Sequence, residues 1–124
     1  MTHKARLLLV IDMPELARAI AGRLSGPQCE PVIAENLDQA HAAWSEQTFD
    51  VALIDFPMPE NETKAIALLC WTRGARVIVT TGFPKAMGEL ATFLAFIGAD
   101  ILEKPFRLVD VVERLGLSSE KAAA

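Results

Sequence analysis

The sequence lacks any long apolar stretch and shows no excess of basic residues. Its uninterrupted apolar runs, such as residues 7–11, are short, whereas a membrane-spanning helix needs roughly 20 apolar residues. We therefore expect no membrane span. The formal net charge of -4 argues against direct binding to nucleic acid, because phosphate backbones are held by clustered lysines and arginines.

Cysteine is scarce as well. Cys29 and Cys70 match no metal-ligand spacing, and the N-terminus carries no secretory signal pattern. We interpret both as buried thiols of a cytoplasmic protein, since thiols stay reduced in that compartment.

Trp44 and Trp71 have apolar neighbours three and four residues away on helical segments, so we assign both to packing.

Short apolar runs alternate with segments of helical spacing. Hydrophobic residues make up 52% of the 124 residues, which is enough for one packed core. The runs that are rich in Val, Ile and Leu and too short for helices are residues 7–11, 31–34, 51–54 and 77–79, with a fifth around Ile101 and Leu102. Such runs are typical of parallel strands that are buried on both faces. The alternation predicts a doubly wound α/β sheet with helices on both faces.

Four polar side chains fall where the predicted strands end. Asp12 follows the first strand, Asp55 the third, Thr81 the fourth and Lys104 the fifth. The carboxyl ends of parallel strands meet at one edge of a sheet, so we expect these residues to converge. A lone Asp at such a position is more often a helix cap or turn former. Together, however, the four suit an aspartyl-phosphate site, in which Lys and Thr bind phosphate oxygens.

Four segments resemble, in order and spacing, the signature segments of response-regulator receiver domains. They are LLLVIDMPEL, DVALIDFPMPE, VIVTTG and GADILEKPF, and the resemblance extends over residues 6–117. It implies a flavodoxin-like parallel sheet of five strands in the order 2-1-3-4-5 with five helices. The receiver domain would occupy residues 5–117, followed by a short C-terminal tail at residues 118–124.

The resemblance also implies roles for individual residues. Asp55 would accept the phosphoryl group, Thr81 would be the switch hydroxyl and Lys104 the lysine that contacts phosphate. Mg²⁺ would be held by Asp12, Asp55 and the backbone carbonyl of Pro57. A cis peptide bond is expected at Lys104-Pro105, where proline lowers its cost. A histidine kinase or phosphotransfer protein would donate the phosphoryl group, and a changed surface would signal to a downstream protein partner.

Ile11 and Ile101 are two of the residues that depart from the receiver pattern. Ile11 stands where receivers carry the first of two adjacent acids, so we expect weak Mg²⁺ binding. Ile101 occupies the place of a Tyr or Phe that moves with the switch hydroxyl. An alternative to the single-domain response regulator is therefore a pseudo-receiver, which would serve as a phosphorylation-independent interaction or dimerisation module.

A candidate interface lies around the fourth predicted helix. Helical spacing turns Phe93 and Phe96 away from the stripe that faces the core, and Ile101 and Val109 could extend the same apolar patch. We interpret the α4-β5-α5 face as a protein-binding surface that could support a homodimer. Ordinary packing of both phenylalanines against neighbouring elements is the alternative.

An independent enzyme is the main competing class. Phosphatases that form an aspartyl phosphate need a second acid two residues after the nucleophile, but Pro14 follows Asp12 at that spacing and Pro57 follows Asp55. We expect the protein at most to catalyse its own phosphotransfer and dephosphorylation. A nucleotide-binding module of the flavodoxin type is not favoured, because no Gly-rich loop follows the first strand.

Overall fold

A computed structural model describes residues 4–56, 58–105, 110, 113 and 114 of the chain. The strands are β1 (Ala5–Val10), β2 (Cys29–Ala34), β3 (Val51–Asp55), β4 (Arg76–Thr81) and β5 (Asp100–Glu103). The helices are α1 (Pro14–Leu24), α2 (Leu37–Glu46), α3 (Glu60–Thr72) and α4 (Glu89–Phe96), with a 3-10 turn at Pro84–Ala86. All strand pairs are parallel and the sheet order is β2-β1-β3-β4-β5, which confirms the predicted sheet.

The described part of the chain contains four of the five predicted α-helices. The fifth falls largely outside the described residues, among which Asp110, Glu113 and Arg114 are helical. The predicted tail at residues 118–124 also lies outside them. At the other end of the fold, Pro14 occupies the first turn of α1 as expected, because its missing N–H has no partner to lose there.

The sheet separates two hydrophobic cores, and alternation along each strand divides the side chains between them. Leu7 and Leu9 of β1 pack on the face that is covered by α1, while Leu8 and Val10 pack on the face covered by α2, α3 and α4. This explains why residues 7–11 form a continuous apolar run, since a strand in the middle of the sheet is buried on both sides. The same alternation decides which side chains reach the site described below.

Helix α2 begins at a side-chain cap. Oδ1 of Asn36 accepts a hydrogen bond from the backbone N–H of Gln39 at 2.9 Å, and the side chain of Gln39 accepts one from the N–H of Glu35. The first N–H groups of a helix have no partner within the helix, so such acceptors stabilise its start.

The Asn36→Ala variant is therefore expected to lose about 1 kcal/mol of unfolding free energy, as measured by urea denaturation. Asn36→Asp retains an acceptor at the same position and should stay close to the wild type. Equal losses in the two variants would show that the cap does not contribute.

Both cysteines are buried free thiols, as predicted. Burial raises the pKa of Cys70 to about 11, although Nε1 of Trp44 donates a hydrogen bond to its sulfur at 3.4 Å and lowers it slightly. Trp44 also packs edge-on against Phe49, with ring centroids 5.1 Å apart. The packing role predicted for Trp44 is therefore confirmed.

Within the described residues, every helix falls short of the length and apolar character that crossing a bilayer requires.

Candidate functional site

The site is built around Asp55, the last residue of β3, which is only 4% exposed. Nζ of Lys104 lies 2.6 Å from Oδ1 of this carboxylate. The hydroxyl of Thr80 donates a hydrogen bond to the same oxygen at 2.8 Å. No other described residue donates a hydrogen bond to it. A buried carboxylate is costly unless it is paired and hydrogen-bonded, so these two contacts make the charge at Asp55 tolerable.

Lys104 is fixed by the strand it follows. Its backbone N–H donates to the carbonyl of Thr81 at 2.7 Å, and its ammonium donates to the carbonyl of Phe56 at 3.1 Å. The peptide bond between Lys104 and Pro105 is cis, as predicted. Two contacts therefore direct the amine toward the end of β3, and the convergence of Asp55 and Lys104 expected from the sequence is confirmed.

The hydroxyl that contacts Asp55 belongs to Thr80, although the sequence pointed to Thr81. β3 and β4 are in register with Asp55 beside Thr80, and paired residues of neighbouring strands point to the same face of the sheet. The next residue points to the other face. There the hydroxyl of Thr81 accepts a hydrogen bond from the N–H of Phe83 at 3.1 Å. The switch role of Thr81 stays a prediction.

The predicted metal ligands Asp12 and Asp55 follow or end neighbouring strands, and the Mg²⁺ site stays a prediction. Asp12 is exposed just after β1, which neighbours β3 in the sheet, and Pro57 lies outside the described residues. Ile11 is buried in the core beside α1, so its side chain adds no donor. Among the described residues, no group of three or more His, Cys, Asp or Glu side chains could hold a metal ion. The carboxylates of Asp12 and Asp55 alone would suit Mg²⁺ only if the ion kept several of its water ligands.

Asp55, Thr80 and Lys104 open into a cleft of about 460 Å³. Ile11 and Leu16 belong to its apolar walls. Ile11, which the resemblance places where receivers carry an acid, thus contributes hydrocarbon to the cleft into which Asp55 opens.

The four interface candidates differ in accessibility. Phe96 is 80% exposed, whereas Phe93 is half-buried and lies under Nζ of Lys64, 5.2 Å from its ring centre. Ile101 is half-buried against the core, and Val109 lies outside the described residues.

Sequence reasoning missed one aromatic residue near this surface. Trp71 is 41% exposed and its ring centroid lies 6.4 Å from that of Phe96, so it packs at the surface rather than in the core. The sequence did not indicate this exposure. Trp71 lies on the side of α3 that faces α4, and helical spacing within α3 does not reveal how closely α4 covers that side.

No family model and no curated protein matches this sequence. The fold, however, matches solved structures over nearly the whole chain. A CheY-like response regulator receiver domain protein from Methanospirillum hungatei JF-1 is 24% identical, with a TM-score of 0.80 and 96% of both chains covered. The receiver domain of Francisella response regulator 1452 is 19% identical, with a TM-score of 0.74 and coverage of 96% of this chain and 99% of that one. This chain has the receiver fold.

A third receiver-fold structure is a response regulator protein from Burkholderia pseudomallei with a phosphorylated aspartic acid, a calcium ion and citrate. It is 20% identical, with a TM-score of 0.76 and coverage of 97% of this chain and 74% of that one. At these identities the likeness concerns the fold. Within this receiver fold, the pairing of Asp55 with Lys104 at the carboxyl edge of the sheet is a feature of this chain's own geometry.

Proposed function

We propose that this protein is a phosphoacceptor receiver of a two-component phosphorelay, phosphorylated on Asp55 by a histidine kinase or phosphotransfer protein. The observation that carries the proposal is the 2.6 Å contact between Lys104 and the buried carboxylate of Asp55 at the carboxyl edge of a receiver fold. The response regulator protein of similar fold from Burkholderia pseudomallei, which contains a phosphorylated aspartic acid, supports the proposal.

Each of these residues has a chemical task in the proposed reaction. A carboxylate oxygen of Asp55 would attack the phosphorus of the donor, and the ammonium of Lys104 would offset the charge on the phosphoryl oxygens. Asp12 and Asp55 would hold Mg²⁺, which supplies further charge neutralisation when it is bound. The buried Ile11 makes this metal site weaker than one with a second neighbouring acid.

The signal would leave the domain through a protein surface. A phosphoryl group adds negative charge to a site that now holds a carboxylate and an ammonium, and such a change shifts loops and helices between two arrangements. The exposed Phe96 on α4 and the half-buried Ile101 on β5 belong to the face proposed to bind a downstream partner or a second copy. Exposed aromatic side chains are common anchors of such interfaces.

Incubation with acetyl phosphate and Mg²⁺, followed by intact mass measurement, tests the phosphoacceptor. The wild type is expected to gain one phosphate, and the gain should vanish in Asp55→Asn and in the presence of a chelator. Asp38→Asn is a matched control, because it removes an exposed acid of α2 and should leave the gain unchanged. A wild type that gains no phosphate at any Mg²⁺ concentration would contradict the proposal.

That negative result would favour the second candidate, a pseudo-receiver that binds its partner without phosphorylation. The specific observation in its favour is Ile11, which is buried in the hydrophobic core at the position of an acid. A pseudo-receiver is expected to bind its partner equally well as wild type and as Asp55→Asn, because its binding surface would not depend on that carboxylate.

A further inference from the structure

We propose that the cleft into which Asp55 opens is also a binding site for a small organic carboxylate with an apolar body, whose head group is held by Arg23. The inference goes beyond the proposed phosphoacceptor function and does not depend on it, because such a ligand carries no phosphoryl group. The observation that carries it is a cleft of about 460 Å³ with apolar walls, lined by Lys104 near Asp55 and by Arg23 further along α1.

The walls of this cleft are mostly apolar. Helix α1 and the sheet together contribute five hydrocarbon side chains, namely Ile11, Leu16, Ala19, Ile20 and Leu53. Apolar walls with a few polar groups, in a cleft of about 300 to 1,000 Å³, are typical of sites for small organic molecules. A carboxylate in place of Ile11 would lose its hydration to a hydrocarbon ligand, whereas isoleucine gains from the contact. The walls therefore favour a ligand with an apolar body.

The charges of the lining decide what head group the ligand carries. The charged side chains are Asp55, Lys104 and Arg23, of which the first two neutralise each other through their 2.6 Å contact. Arg23 is exposed on the last turn of α1 and forms no ion pair with any described residue. One positive charge is therefore uncompensated, which complements a monoanion. A guanidinium binds a carboxylate through two parallel hydrogen bonds, whereas a phosphate monoester is close to a dianion at neutral pH.

The course of α1 sets the length of the ligand. Because α1 follows the carboxyl end of β1, Leu16 lies at the Asp55 end of the cleft and Arg23 lies further from the carboxyl edge of the sheet. The two residues are about two turns apart, which corresponds to about 10 Å along the helix axis. An extended chain of about eight carbons has this length. Octanoate is therefore the probe that matches both the charge and the length of the cleft.

A series of straight-chain carboxylates from butanoate to octanoate tests the apolar walls. Dissociation constants are measured by NMR titration of the ¹⁵N-labelled wild type, without Mg²⁺ or a phosphodonor. Octanoate is expected to bind, and each added CH₂ group should tighten binding up to about fourfold, because each one is transferred from water to the apolar walls. Absence of octanoate binding, or affinities that do not depend on chain length, would overturn the proposal.

Arg23→Gln tests the head group. The variant removes the charge that holds the carboxylate, so octanoate binding is expected to weaken at least about fivefold. Arg18→Gln is the matched control, because Arg18 is exposed on the same helix and does not line the cleft. Its affinity for octanoate should equal that of the wild type. Equal losses in the two variants would overturn the role of Arg23, since octanoate would then respond only to the net charge of the protein.

Leu16→Asp tests the location of the site. Leu16 is 37% exposed, and an aspartate there would place a negative charge on the wall, so octanoate binding should weaken at least about tenfold. Leu68→Asp is the matched control, because it puts the same charge on an exposed leucine of α3 outside the cleft. Circular dichroism checks that both variants fold, and Leu16→Ala, with a smaller expected loss, replaces a variant that does not. A loss in Leu68→Asp alone would place octanoate on α3 and overturn the proposal.

The outcomes separate this site from the phosphoacceptor function. A wild type that gains phosphate from acetyl phosphate and does not bind octanoate would overturn only the carboxylate site. A wild type that binds octanoate with the expected losses in Arg23→Gln and Leu16→Asp, and never gains phosphate, would overturn only the phosphoacceptor function.

Discussion

Replacing Lys104 with methionine is expected to lower the rate of phosphorylation on Asp55 about 100-fold. The ammonium lies 2.6 Å from Oδ1 and is held there by its contact with the carbonyl of Phe56. Methionine has a similar length and no charge, so the variant removes the cation while filling much of the same space. A time course of intact mass with acetyl phosphate and Mg²⁺ measures the rate.

Lys85→Met is the matched control for this experiment. Lys85 is exposed in the turn Pro84–Ala86, and none of the described residues forms an ion pair with it. Its replacement should leave the rate unchanged. If the two methionine variants were phosphorylated equally fast, the amine of Lys104 would have no part in the chemistry, and its contact with Asp55 would only stabilise the fold.

The Leu94→Ala variant is expected to lose about 2 to 5 kcal/mol of unfolding free energy. Leu94 is fully buried in the core between the sheet and helices α2, α3 and α4, so alanine would leave a cavity that the surrounding side chains fill only in part. A loss of this size is a large fraction of the total stability of a domain of this length. Urea denaturation followed by circular dichroism gives the value.

Leu68→Ala removes the same atoms from a side chain that is 43% exposed on α3. Its loss should stay below about 1 kcal/mol, because most surface substitutions change stability little. Losses of similar size in the two variants would mean that α4 is not packed against the core as the structure shows.

The five strands were predictable because buried parallel strands appear as short, continuous apolar runs. Their bounds were less predictable. β1 begins at Ala5 and β2 at Cys29, each two residues before the apolar run that marks it, since strands extend beyond the core where one face meets solvent. Helix α4 was predicted well, because Met87, Leu90, Leu94 and Ile97 form the buried stripe that their spacing indicates.

The sequence predicted that Asp55 and Lys104 would meet, but it did not predict which threonine faces Asp55. Asp55 and Lys104 meet because each lies at the carboxyl end of a strand, and strand order alone brings such positions together. The choice between Thr80 and Thr81 depends on the register of β4 against β3. A shift of one residue reverses which side chain faces Asp55, and composition does not fix that register.

The exposed contact between Trp71 and Phe96 has a consequence for spectroscopy. The sequence contains no tyrosine and two tryptophans, so tryptophan alone dominates the ultraviolet emission of the protein. Trp44 is buried against Phe49 and emits from an apolar interior, while Trp71 emits from the boundary between α3, α4 and water. The protein thus carries two intrinsic fluorophores in different environments, one that reports on the state of the core and one that reports on the surface formed by α3 and α4.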